Sequence, residues 1–148
     1  MDWLKDLITN VFLITGLGSW LIAQVLKTII HWAVYKKLEI QRLFGDGGMP
    51  SGHSATVSSL ATMCGLCFGF GSVEFAISAI VAVIVCHDAM GVRRETGIQA
   101  EVLNELLRYF ESGREPDLKE LIGHTPLQVW AGILIGIANA LLMYYIVL

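Results

Sequence analysis

Charge is what this chain has least of: charged residues make up 16% of its 148, against about a quarter in an ordinary soluble domain. That shortage, with 55% hydrophobic residues and a mean hydropathy of +0.63, excludes a conventional water-soluble surface. Metal-binding patterns are also missing. The four histidines contain no His-x-x-x-His pair. Cys64 and Cys67 form a C-x-x-C with no second pair, inside an apolar stretch, so they read as packing, as does Cys86. Neither a metal nor a cofactor is expected. No Pro/Gly/Ser-rich linker divides the chain, which is read as one domain over 1–148. The net charge of −3 is too small to indicate a partner. The positions of the charges say more.

Val11–Val34 has no charged residue but Lys27 and is long enough to cross a bilayer. Residues 54–70 and 73–90 read as a tight helical hairpin, its first arm short for a full span, and 126–148 is a fourth apolar stretch. These helices lack the polar face that a soluble bundle needs. The expected fold is therefore an all-α integral membrane bundle of about four transmembrane helices. The N-terminal segment, with Asp2, Lys5 and Asp6 ahead of a long apolar run, does not read as a cleavable signal peptide. Four crossings collect Lys36, Lys37, Arg42, Arg93, Arg94, Arg108, Arg114 and Lys119 on one side, with only Lys5 opposite. The positive-inside rule makes the charged side cytoplasmic, in the plasma (inner) membrane. Between the third and fourth spans, Gln99, Val102, Leu103, Leu106, Leu107 and Phe110 recur at helical spacing among charged residues. They predict an amphipathic interfacial helix over about 97–111, ended by Gly113 and Pro116.

Chemistry concentrates at the charged side. Met49-Pro50-Ser51-Gly52-His53-Ser54-Ala55 opens an apolar span. Pro50 suits a first helical turn, Ser51 or Ser54 suits a cap, and the free amides favour an anion, phosphate above all. His53 beside a phosphate would protonate or attack it; the alternative is a simple cap with a solvated histidine. Gly123-His124-Thr125-Pro126 repeats the placement, so one histidine could attack phosphorus while the other protonates the leaving oxygen. Lys27 is costly in a span unless it snorkels or meets an anion. Gln24 and His31 share its face and predict a polar seam towards the bundle. Arg93 and Arg94 either mark the membrane boundary, paired with Asp88, or grip phosphate oxygens.

The P-S-G-H box with the later His-x-x-x-Gln-Val-x-x-Gly, His124 to Gly132, resembles the phosphatidic acid phosphatase type 2 and vanadium haloperoxidase superfamily. Gly47-Gly48 before that box, Asp88-Ala89-Met90-Gly91-Val92-Arg93-Arg94, Gln99-Ala100, Leu103-Asn104 and Gly123-His124-Thr125-Pro126 are similar to its small, divergent bacterial and plant branch. The resemblance runs from about Trp20 to Gly136. It implies that Lys27 holds phosphate, that Ser51 and Gly52 supply donors, that His53 is the acid and that His124 is the nucleophile. Three places depart from the superfamily pattern. The Arg-Pro expected after the lysine is Val34-Tyr35, with Arg42 a distant substitute. The arginine expected before the later histidine is Leu118, beside Lys119, and the orienting aspartate is Gln128. Arg93, Arg94 and Asp88 are the residues available for the vacant roles.

Two functions follow from the resemblance. One is a metal-independent lipid phosphatase acting on a polyprenyl or phosphatidyl monoester or diphosphate through a phosphohistidine. The other is a catalytically degenerate headgroup binder or transporter. A purely structural subunit is a third reading, disfavoured by polar clusters gathered on one side. The expected partners are the membrane, a lipid phosphate and a second copy in a homodimer, with no nucleic acid.

Overall fold

The computed structural model describes residues 2–36, 47–110, 118–119 and 122–147. Six helices account for most of them: α1 Asp2–Ile8, α2 Val11–Tyr35, α3 Gly52–Phe68, α4 Val73–Met90, α5 Val92–Phe110 and α6 Pro126–Val147. The described residues contain no strand. The fold is an all-α membrane bundle.

Local chemistry explains most of the helix ends. The Asn10 side chain accepts from the N–H groups of Phe12 and Leu13 and so starts α2; Lys36 closes it in the left-handed region at φ 56°. Ser51 starts α3 by accepting from Ser54 N–H at 3.4 Å. Pro50 therefore stands one residue before the cap and not in the first turn. Ser72 repeats the device for α4, accepting from Phe75 N–H at 3.2 Å. A single residue, Gly91, separates α4 from α5. Glu95 N–H bonds back to Gly91 C=O at 3.0 Å, which closes the first turn of α5 at once. This helix thus begins at Val92, five residues earlier than the apolar periodicity indicates. Its expected terminators, Gly113 and Pro116, lie outside the described residues. The short α1, exposed throughout, has no counterpart in the sequence reading.

Among the described residues, three segments are long and apolar enough to cross a membrane: Val11–Tyr35, the Val73–Phe110 run that α4 opens, and Pro126–Val147. α3 has 17 residues, about 25 Å of helix. It forms the centre of the bundle, packed against α2, α4 and α6. Small residues allow this. A Cβ on Gly132 would strike Ser51 O, and one on Gly136 would strike Ala55 O and Ser58 Oγ, so the G-x-x-x-G of α6 lies directly on α3. Polar groups fasten the other contacts. Asn139 on α6 donates to Thr15 C=O at 3.2 Å and to Ser19 Oγ at 2.8 Å, both on α2. In a medium without water these groups have no cheaper partner.

The packing draws the charged-side ends of α2, α3, α4 and α6 together. α5 meets the rest through Gly97, Ala100 and Asn104, while Val102, Leu103, Leu106 and Phe110 stay exposed. Its apolar face therefore points away from the bundle, as an interfacial helix requires.

Candidate functional site

His124 is the centre. Its backbone N–H donates to Ala89 C=O at 2.9 Å, which ties the segment before α6 to the end of α4. The imidazole is buried, 4% exposed. Nδ1 has two neighbours: Gly48 C=O at 3.1 Å and Gln128 Oε1 at 3.2 Å. Thr125 N–H also donates to Gln128 Oε1, at 3.0 Å, and a backbone N–H can only donate. The carboxamide orientation is thereby fixed, and both neighbours of Nδ1 are acceptors. Nδ1 must carry the hydrogen, leaving Nε2 with a free lone pair. Burial holds this histidine below its usual pKa range. Lys27 and His53 push it the same way, and the Gln128 and Gly48 contacts oppose them. The ring is thus the neutral, nucleophilic form at neutral pH.

His53 sits in the first turn of α3, exposed, with its ring centroid 6.4 Å from that of His124 and an interplanar angle of 63°. Ser51, fully buried, caps the helix and accepts Ser54 Oγ–H at 3.0 Å; its own N–H goes to Gln128 C=O at 3.0 Å. Gly52 lies against Trp20, where a Cβ would come within 3.1 Å of Cδ1. Lys27 is 5% exposed, and its stem runs beneath Gly48, 3.4 Å from where a Cβ would stand. Gln24 is buried beside it, whereas His31 is half-buried and stacks on Tyr35 with centroids 4.6 Å apart. The polar seam therefore comprises Gln24 and Lys27.

The two arginines separate. Arg93 donates through Nε to Asp88 Oδ2 at 2.6 Å, on the exposed side of the α4–α5 junction. Arg94 instead lines a cavity of about 210 Å³ with Gly47, Gly48, Glu101, His124 and Gln128. Gly123, at φ +85°, lets this wall close, since a Cβ there would collide with the backbone of Arg93 and Arg94. Lys119 is exposed and is no part of the cavity lining, and Arg42 lies outside the described residues. Leu118 is held through its backbone: its C=O accepts from Asn104 Nδ2 at 2.9 Å and its N–H donates to Asn104 Oδ1 at 3.4 Å. A larger cavity of about 330 Å³ between α3, α4 and α6 is almost wholly apolar and is lined by none of these site residues.

The sequence reading had no role for Gly48, Ala89, Glu101 or Asn104. Gly48 and Ala89 act through backbone carbonyls, which side-chain identity does not disclose. Asn104, a polar residue among apolar ones in an amphipathic helix, was the available signal. Together the groups gather Lys27, Arg94, the carboxylate of Glu101 and the amides that start α3 around one imidazole nitrogen with a free lone pair and a second imidazole, an arrangement able to accept a phosphoryl group.

A model described as the divergent PAP2 family matches residues 8–139. The chain is also 41% identical, over 154 aligned positions, to the uncharacterized membrane protein YuiD of Bacillus subtilis strain 168, covering 95% of this chain and 98% of that one. No solved structure matches.

Proposed function

Because the chain belongs to the divergent PAP2 family, we propose that it is a lipid phosphatase of the membrane, with His124 as nucleophile and His53 as acid. The observation that carries this reading is the pair of acceptors on His124 Nδ1, which leaves Nε2 free. Lys27, Arg94 and the first amides of α3 hold the phosphoryl oxygens. Nε2 attacks phosphorus, the P–O bond to the leaving group (an ester bond in a monoester, the anhydride bond in a diphosphate) breaks with its electron pair on the leaving oxygen, and protonated His53 gives that oxygen its proton. Water then attacks the phosphohistidine while neutral His53 takes a proton. The P–N bond breaks, and inorganic phosphate and His124 are released. No metal takes part. The substrate is a polyprenyl or phosphatidyl monoester or diphosphate. α3 completes a fourth crossing, and the basic side faces the cytoplasm from the plasma membrane.

The test is phosphate release by the detergent-purified protein from phosphatidic acid, phosphatidylglycerophosphate and undecaprenyl mono- and diphosphate. Wild type should release phosphate from at least one, with His124→Ala inactive and His53→Ala strongly impaired. Full activity in both variants would sink the assignment. A homodimer belongs to the same reading; a one-chain mass in mild detergent at every concentration would count against it.

Gln128 favours a second reading, a headgroup binder or transporter without turnover. An amide orients the ring but cannot balance the charge of an imidazolium as a carboxylate does, and the comparable loss in a serine protease is about 10⁴-fold. Binding of lipid phosphate without release of phosphate by the wild type would select it.

A further inference from the structure

Trp20, Gln24 and Lys27 lie at i, i+4 and i+7 on α2 and form one stripe. Its two ends press against Gly52 and Gly48 in the loop and first turn that carry the P-S-G-H box. Between them Gln24 is 4% exposed. Among the described residues, its Oε1 is the buried side-chain polar atom without a hydrogen-bond partner. That oxygen is 3.8 Å from where a Cβ on Gly52 would stand, so the carboxamide points at the start of α3. Ser51 already satisfies the Ser54 amide. The amides of Gly52 and His53 have no partner within the helix. An unpaired buried carboxamide oxygen costs stability unless something else completes it.

We propose that Gln24 is a ligand contact: its carboxamide completes the cradle around a phosphoryl group bound at the α3 N-terminus, and so helps select a tetrahedral oxyanion. The inference rests on the phosphoryl reading of the site. The unpaired atom is an acceptor, so it suits a protonated phosphoryl oxygen, whereas Lys27 and the α3 amides only donate.

Gln24→Met keeps the length and removes both polar groups. A purely structural Gln24 and a ligand-binding one then predict different results. If the carboxamide is only an unpaired burden, Gln24→Met raises the melting temperature and leaves ligand affinity alone. If it accepts from the O–H of a phosphate monoanion, affinity falls about tenfold, the effect of one hydrogen bond to a charged group, while the ligand-free protein is at least as stable. The probe is inorganic phosphate, titrated calorimetrically into the full-length protein in detergent. Gln24→Glu adds a second readout. Its carboxylate also accepts only from a protonated phosphoryl oxygen and repels the dianion, so affinity should fall more steeply than wild type between pH 6 and 8, as inorganic phosphate loses its second proton. Affinity of Gln24→Met within twofold of wild type, or no phosphate binding by wild type, overturns the proposal. Phosphate release from lipid is measured separately. A protein that binds phosphate through Gln24 but releases none refutes the phosphatase and leaves this contact standing. The reverse outcome, turnover with an unaltered Gln24→Met, refutes only the contact.

Discussion

Gln128 Oε1 lies 3.2 Å from Nδ1 of His124 and accepts the Thr125 N–H at 3.0 Å with the same atom. One amide oxygen therefore shapes the turn before α6 and fixes the tautomer of the histidine within it. Gly48 C=O, at 3.1 Å, supplies a second acceptor from the other side of the site. Two neutral acceptors do the orienting work that a single carboxylate would do. They add less electrostatic support to a positive ring.

That relationship predicts opposite outcomes for two substitutions. Gln128→Leu removes the acceptor and frees the ring, and phosphate release should fall on the order of 10²-fold, less than the 10⁴-fold tautomer loss because Gly48 C=O remains. Gln128→Glu retains the acceptor and adds charge, so the His124 pKa should rise. A pH–rate profile of the two variants beside wild type checks both, with the acidic limb of Gln128→Glu displaced upward.

The depressed pKa of His124 has a consequence for stability, with burial as its main cause. In the unfolded chain the ring takes its proton near pH 6.5; in the folded protein it resists until lower pH. Below about pH 6.5 the unfolded state therefore binds more protons, and stability declines as pH falls towards the folded-state pKa. Above about pH 6.5 the ring is neutral in both states and stability no longer depends on it. Melting curves in detergent from pH 8 to pH 5 should show this decline in wild type and a shallower one in His124→Asn.

Helix type was readable from the sequence because uncharged runs such as 75–86 and 126–147 leave few alternatives to a membrane helix. The start of α5 was not, because Arg93 to Thr96 carry no apolar periodicity; the structure has them helical, with Glu95 N–H bonded back to Gly91 C=O. Within the site, His53, His124, Ser51 and Lys27 stood out by type and position. The division of labour between Arg93 and Arg94 did not, since adjacent residues on a helix point about 100° apart and the direction of each depends on packing. Ala89 and Gly48 contribute only carbonyls, which every residue has.

Gly123 should tolerate no side chain. Its φ of +85° disfavours any L-residue, and a Cβ would meet the Arg93–Arg94 backbone. Gly123→Ala is expected to cost roughly 1–3 kcal/mol of stability and to displace His124, the next residue. A drop in melting temperature accompanied by loss of phosphate release checks this. Gly71→Ala, at a position with nothing within 4 Å of the added Cβ, is the matched control and should change neither.

Arg93 and Arg94 should differ as sharply as any adjacent pair in the chain. Both occupy the first turn of α5, where the positive end of the helix dipole disfavours cations. Arg93 offsets that cost with Asp88 at 2.6 Å. Arg94 faces the His124 cavity, where a bound anion would offset it. Arg94→Ala should therefore weaken inorganic phosphate binding by about tenfold or more, as loss of a charge-assisted hydrogen bond does. Arg93→Ala should change affinity by less than twofold, because its partner is half-exposed and such pairs contribute about 1 kcal/mol or less. Asp88→Asn frees Arg93 without moving Arg94 and should resemble Arg93→Ala. Calorimetric titration of the three variants decides the matter. Equal losses in Arg93→Ala and Arg94→Ala would mean that the two guanidinium groups act on the phosphate together and that the Asp88 pair opens when it binds.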